Sequence, residues 1–166
     1  MKQFLLNVYA KLRGILNPIK LSKEHEEWDR YMNMKMMEFS STINSFPYKS
    51  DKLGGLVDRT ESFEHFIDVN VKSDRDCDDY ARMWSFWGIS NGYKIYEVIV
   101  TTRKHLFKDS HVVTILANAK GFAMMNYKPY KNGFAFKSLE EAVEITLPLW
   151  NDCYKEGLIY SISIKG

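Results

Sequence analysis

The run Asp74-Arg75-Asp76-Cys77-Asp78-Asp79-Tyr80-Ala81-Arg82 marks a change of pattern. An acidic, polar segment gives way to apolar residues at Tyr80, Ala81, Trp84 and Gly88. Their spacing is close to 3.6 residues and predicts a helix that begins at or beside Cys77. Asp78 and Asp79 then occupy its first turn, where carboxylates help a helix to start. A cysteine at that position meets exposed backbone N–H groups and the positive end of the helix dipole, which favour the nucleophilic thiolate. The neighbouring carboxylates oppose it. A structural cysteine sits more often in mid-element, among apolar neighbours.

Downstream, Asn91-Gly92 is a helix stop signal, and the period changes after it. Residues 93–102 are rich in β-branched and aromatic side chains and read as a strand. A polar turn over 103–110 leads to a second strand over 111–117 (His-Val-Val-Thr-Ile-Leu-Ala). The tight turn Asn118-Ala119-Lys120-Gly121 leads to a third over 122–127. These three form an antiparallel meander. Ser138-Leu139-Glu140-Glu141 has capping-box spacing and opens a helix to about residue 149, and residues 159–164 alternate as a last strand.

Upstream, residues 1–17 read as an amphipathic helix closed by Pro18. Phe4, Leu5, Val8, Leu12, Ile15 and Leu16 share one face, and Lys2, Lys11 and Arg13 lie elsewhere. This segment, peripheral over 1–20, is expected to pack its apolar face on the domain rather than on a membrane surface, because few basic residues accompany it. Asn7, Lys11 and Arg13 interrupt the apolar stretch and no small-residue cleavage site follows, which argues against a signal peptide. Ser22 is placed to cap a second helix, with Trp28, Tyr31, Met32, Met36 and Phe39 on one stripe. Pro47 and Gly54-Gly55 mark an irregular loop, and Asp58-Arg59-Thr60-Glu61 is a capping box before a short helix through Phe63, Phe66 and Ile67. Helices come first and a sheet follows, so the expected class is α+β, with residues 1–166 as a single domain.

Composition bounds the function. With 23 basic and 21 acidic residues and a net charge of +2, nothing points to nucleic acid. No stretch is long enough to span a bilayer. The two cysteines, Cys77 and Cys153, have dissimilar surroundings, so a reduced compartment is the simpler reading than a disulfide. A cytoplasmic location is expected, with a phage or other origin left open.

Of the four histidines, only His111 opens an apolar strand directly after a turn, where an imidazole at a sheet rim can exchange a proton near neutral pH. His25 and His65 fall on helices, and His105 falls in the turn. The hairpin turning at 118–121 puts the partner of His111 at about residue 128, close to Asn126. An amide there can accept the imidazole N–H and set its tautomer. The candidate triad is therefore Cys77 as nucleophile, His111 as base and Asn126 as orienting group.

The run Asp76-Cys77-Asp78-Asp79-Tyr80-Ala81 resembles the Asp-Cys-Glu/Asp-Asp-Tyr-Ala signature of bacterial transglutaminase-like cysteine proteinases, in the papain-like superfamily. His111-Val-Val-Thr-Ile-Leu is similar to that family's histidine strand, and Asn126 falls where its third triad member, Asp or Asn, is found. The resemblance covers about residues 58–129. It implies a papain-like or transglutaminase-like fold, with the nucleophile helix packed on an antiparallel sheet. It also implies acyl transfer through a thioester from a protein or peptide substrate. Water as acceptor makes a peptidase or amidase, and an amine makes a cross-linking transferase. A binding module that keeps the fold without activity is the third reading. The chain departs from the pattern at Arg75, where glycine is frequent, and at Asn126, where Asp is commoner. Gln3 is the only glutamine, so a papain-style upstream glutamine is missing, and Asn70 is the candidate oxyanion donor beside the Cys77 N–H. No cofactor is expected. Calcium at Asp74, Asp76, Asp78 and Asp79, as in some relatives, is weighed below helix capping, because a calcium-loop glycine and terminal glutamate are missing. Zinc is disfavoured, since no second Cys or His lies near Cys77 in sequence.

Overall fold

An antiparallel sheet with a helix against each face is the frame of the computed structural model, which describes residues 1–16, 25–48, 62–68, 75–102, 111–151 and 158–165. The helices are α1 (Lys2–Leu16), α2 (Trp28–Met32), α3 (Met36–Ile43), α4 (Phe63–Ile67), α5 (Cys77–Ser90) and α6 (Leu139–Asn151). The strands are β1 (Lys94–Thr102), β2 (His111–Asn118), β3 (Gly121–Asn126), β4 (Lys128–Pro129) and β5 (Leu158–Lys165). The strand order is β4-β3-β2-β1-β5, with every neighbour antiparallel, so the class is α+β. No helix among the described residues is long and apolar enough to cross a membrane.

Period-two alternation divides the sheet's side chains between two cores. Ile95, Leu116, Ala123 and Met125 join the aromatic cluster around α5, which includes Trp84, Trp87, Phe39, Phe63 and Phe66. Val98, Val100, Val113, Ile115 and Met124 face the other way, against Ala142 and Val143 of α6. Helix α5 is thus buried between the sheet and the N-terminal helices. Thr114 Oγ1 on β2 donates to the Ala81 carbonyl at 2.9 Å and pins the helix to the sheet.

Helix α5 starts and stops as the residue pattern predicts. Asp76 is the N-cap: its carboxylate accepts from the Asp78 N–H, and the Asp79 carboxylate accepts from the Asp76 N–H at 3.1 Å, completing a capping box. At the other end Gly92 takes φ +74°. The Tyr93 N–H donates to the Gly88 carbonyl and the Gly92 N–H to Ile89, a Schellman closure that glycine accommodates without strain. Ser138 Oγ accepts from the Glu141 N–H as expected, but the Glu141 carboxylate accepts from Lys137 rather than from Ser138.

Three expectations change. The stripe from Trp28 to Phe39 is broken at residues 33–35 into two helices. Side chains of α5 take the carbonyls released there: Trp87 Nε1 donates to Met34 and Asn91 Nδ2 to Met32. The cap of α4 is Ser62, whose hydroxyl accepts from His65; Ser22 and the Asp58–Glu61 box lie outside the described residues. Four residues of the expected apolar row of α1, Phe4, Leu5, Val8 and Leu12, are exposed. Leu6 is 0% exposed among Ala81, Ile99 and Val112, whereas Phe4 is 68% and Leu12 51% exposed, with Leu5 and Val8 also outward. Leu6 projects from the far side of the helix from the 4–8–12 row, and Tyr9 packs beside it against the same cluster.

Candidate active site

Cys77 is the first residue of α5 and is half-buried. The residues before it are held by Arg75. Its buried guanidinium donates from Nε to the Phe66 carbonyl at 2.7 Å and from Nη2 to the Asp68 carbonyl at 2.8 Å, closing the C-terminal end of α4. The same group lies 5.0 Å from the Phe46 ring centre and 5.6 Å from that of Phe66.

His111 is the first residue of β2 and Asn126 the last of β3. Pairing between these strands ends at Thr114↔Met125, so beyond it His111 has no β3 neighbour in the ladder. Its side chain meets Asn126 diagonally: Nε2 and Asn126 Oδ1 are 2.9 Å apart. An amide oxygen only accepts, so Nε2 carries the proton and Nδ1 keeps the lone pair in the neutral ring. The expected wet rim is not found, for His111 is 4% exposed. Burial lowers its pKa from 6.5 to about 4, against the Asn126 hydrogen bond and the charge of Asp78, which both raise it. By alternation His111 shares the face of its ladder partner Val100, away from Ala81; even so, the Asp78 charge in the first turn of α5 reaches its imidazole.

Tyr127 joins the two halves of the site. Its ring centre is 5.8 Å from that of His111 and 5.1 Å from that of Tyr80, one turn along α5 from Cys77. Burial, first, then a hydrogen bond with the Tyr48 side chain and the charge of Cys77 all push the Tyr127 phenol far above its ordinary range. The residue has φ +50°, turning the chain from β3 back into β4. Two donors hold its carbonyl, Asn44 Nδ2 at 2.7 Å and Trp84 Nε1 at 3.3 Å. Tyr127, Tyr48 and the electrostatic reach of Asp78 are what sequence reasoning missed. A tyrosine directly after Asn126 was the one available signal.

Asp76, Cys77 and Asp78 offer ligand atoms within 4.8 Å of one another. One of these three donors is a sulfur, the Asp76 carboxylate already accepts from Asp78 N–H, and Asp79 is engaged in the capping box. This set does not fit the six to eight oxygens that calcium takes. Asn70 and Asp74 lie outside the described residues. Searches against protein-family models, curated proteins and solved structures find no match to this chain.

Proposed function

We propose that the protein is a thiol-dependent acyl-transfer enzyme of the transglutaminase-like, papain-like kind, hydrolysing a peptide or amide bond through Cys77. The observation that carries this reading is the 2.9 Å bond between His111 Nε2 and Asn126 Oδ1, the pairing of base and orienting group that such a triad requires. With Nε2–H directed at Asn126, Nδ1 is the nitrogen available as base. Burial keeps the ring neutral at pH 7, the form a base requires. In the first step the Cys77 thiol proton passes to Nδ1 as the sulfur attacks the carbonyl carbon. The imidazolium then returns that proton to the departing amine, leaving a thioester. Water, deprotonated by the same nitrogen, attacks the thioester and releases the acid and the thiol. Asn126 fixes the ring through a dipole rather than a charge, and the buried Asp78 carboxylate supplies the negative field that favours the transient imidazolium.

A non-catalytic binding module is the second reading, favoured by the carboxylates of Asp76 and Asp78 lying within 4.8 Å of the sulfur, where they oppose a thiolate. Alkylation by iodoacetamide at pH 7, mapped by mass spectrometry, separates the two. Selective modification of Cys77 over Cys153, slowed in His111→Ala, is expected of the enzyme. Equal modification of both thiols, unchanged in His111→Ala, would remove the enzymatic reading. Once a cleaved peptide is found, His111→Ala should lower kcat by about 10²–10⁴-fold.

A further inference from the structure

Beside the candidate triad runs a groove of about 640 Å³, walled by Phe46, Pro47, Tyr48, Tyr80 and Tyr127, with Asn126 at one side. Asn126 therefore belongs both to this wall and to the His111 hydrogen bond. Several polar groups of the walls already have partners. Tyr80 Oη donates to the Phe46 carbonyl at 2.8 Å. Asn44 Nδ2 donates to the Ser40 and Tyr127 carbonyls, both at 2.7 Å. The Tyr48 and Tyr127 side chains are hydrogen-bonded together. What the walls chiefly present to an occupant is ring carbon and the proline ring. Tyr127 meets Tyr80 and Tyr48 edge to face, at 81° and 80°, so the three rings brace one another as a wall.

Aromatic walls take either an apolar side chain or a cation. Here the cation is disfavoured by charge already present. The Arg75 guanidinium lies 5.0 Å from the Phe46 ring centre, and Lys128 borders the groove. An anionic or strongly hydrated side chain would lose its water to walls that are chiefly ring carbon and whose Asn44, Tyr80, Tyr48 and Tyr127 groups already have partners.

We infer that this groove is a substrate side-chain subsite, and that it takes an uncharged apolar side chain, aromatic or branched aliphatic, from a peptide whose scissile bond lies at Cys77. This rests on the acyl-transfer reading for the role of the occupant, while the binding preference is measurable without turnover. The experiment uses the full chain carrying Cys77→Ala. N-acetylated amides of phenylalanine, leucine, lysine and glutamate are titrated while the ring resonances of Tyr48 and Tyr127 are followed by NMR. The phenylalanine and leucine amides should shift those resonances and bind about tenfold or more tighter than the lysine and glutamate amides. Tyr48→Ala should abolish the difference, and Tyr48→Phe, which keeps the ring, should retain it. Equal binding of all four amides, or tighter binding of the lysine amide, overturns the subsite. If the preference holds but Cys77 in the unsubstituted protein is not selectively alkylated, the groove stands as an apolar side-chain site and the acyl-transfer reading falls. In an active enzyme the preference appears in KM for fluorogenic peptides, with Tyr48→Ala raising KM for the phenylalanine and leucine peptides.

Discussion

His111 couples the candidate site to stability. Its pKa in the fold is about 4 against an ordinary 6.5, because burial disfavours the charged ring. Above pH 6.5 the ring is neutral in both folded and unfolded chains, and it contributes no pH dependence. Between pH 6.5 and about 4 the unfolded chain binds a proton that the folded chain refuses, so stability falls as the pH drops. The loss accumulates to about 3 kcal/mol at 1.36 kcal/mol per unit, and it levels off below pH 4. Urea unfolding midpoints at pH 7 and pH 4.5 measure this: His111→Gln should lose less stability over that interval than the unsubstituted protein. An equal loss in both would assign the pH dependence to other groups. At the same scale, Arg75 has a structural reason to stand beside Asp76. Two backbone carbonyls at the end of α4 and two aromatic rings hold its guanidinium, so it serves the packing of the loop before Cys77.

Among the elements, α1 shows how far periodicity reaches. The 3.6 period of residues 1–17 is correct as a helix signal, and the helix is Lys2–Leu16. Phe4, Leu5, Val8 and Leu12 nonetheless face outward, while Leu6 is buried with Tyr9 beside it. Leu6→Ala is therefore expected to cost about 2–5 kcal/mol, whereas Leu12→Gln should change stability by no more than about 0.5 kcal/mol. Thermal unfolding of both variants is the measurement; a large loss in Leu12→Gln would mean that the row is covered. Helix α5 was far more legible. Its N-cap, first-turn carboxylates and Asn91-Gly92 stop are local devices, each satisfied within a few residues. The break between α2 and α3 was not, because the side chains that stabilise it, Trp87 and Asn91, are 53 and 59 residues away.

Across the whole molecule, the packing that fixes α5 on the sheet is its approach to β1 and β2. It is close at Gly88, where an added Cβ would fall 2.5 Å from Ile95 Cδ1 and 2.6 Å from Leu116 Cδ2. Gly88→Ala gains about 1 kcal/mol of helix propensity but overpacks the core at a cost of about 1–3 kcal/mol. The expected result is a lower Tm, by about 2–4 °C for each kcal/mol lost. A raised Tm would show that the two methyl groups move aside. The three-stranded meander and its turn at 118–121 were readable because a hairpin pairs residues close in the chain. The place of β5 beside β1 was not, since such pairing joins segments far apart in the chain and no local pattern names the partner.

The amino-acid order was enough to establish where α5 begins and ends, which residues alternate along β1, β2 and β3, and that the turn at 118–121 brings Asn126 to the end of the sheet where His111 lies. All of these depend on interactions within a turn or a hairpin. Folding settled the rest: the dryness of His111, the reach of the Asp78 charge, the face that α1 buries, and the tyrosine-walled groove beside Asn126. Each of those depends on which distant surfaces meet, and burial and electric field are properties of that meeting rather than of any one segment.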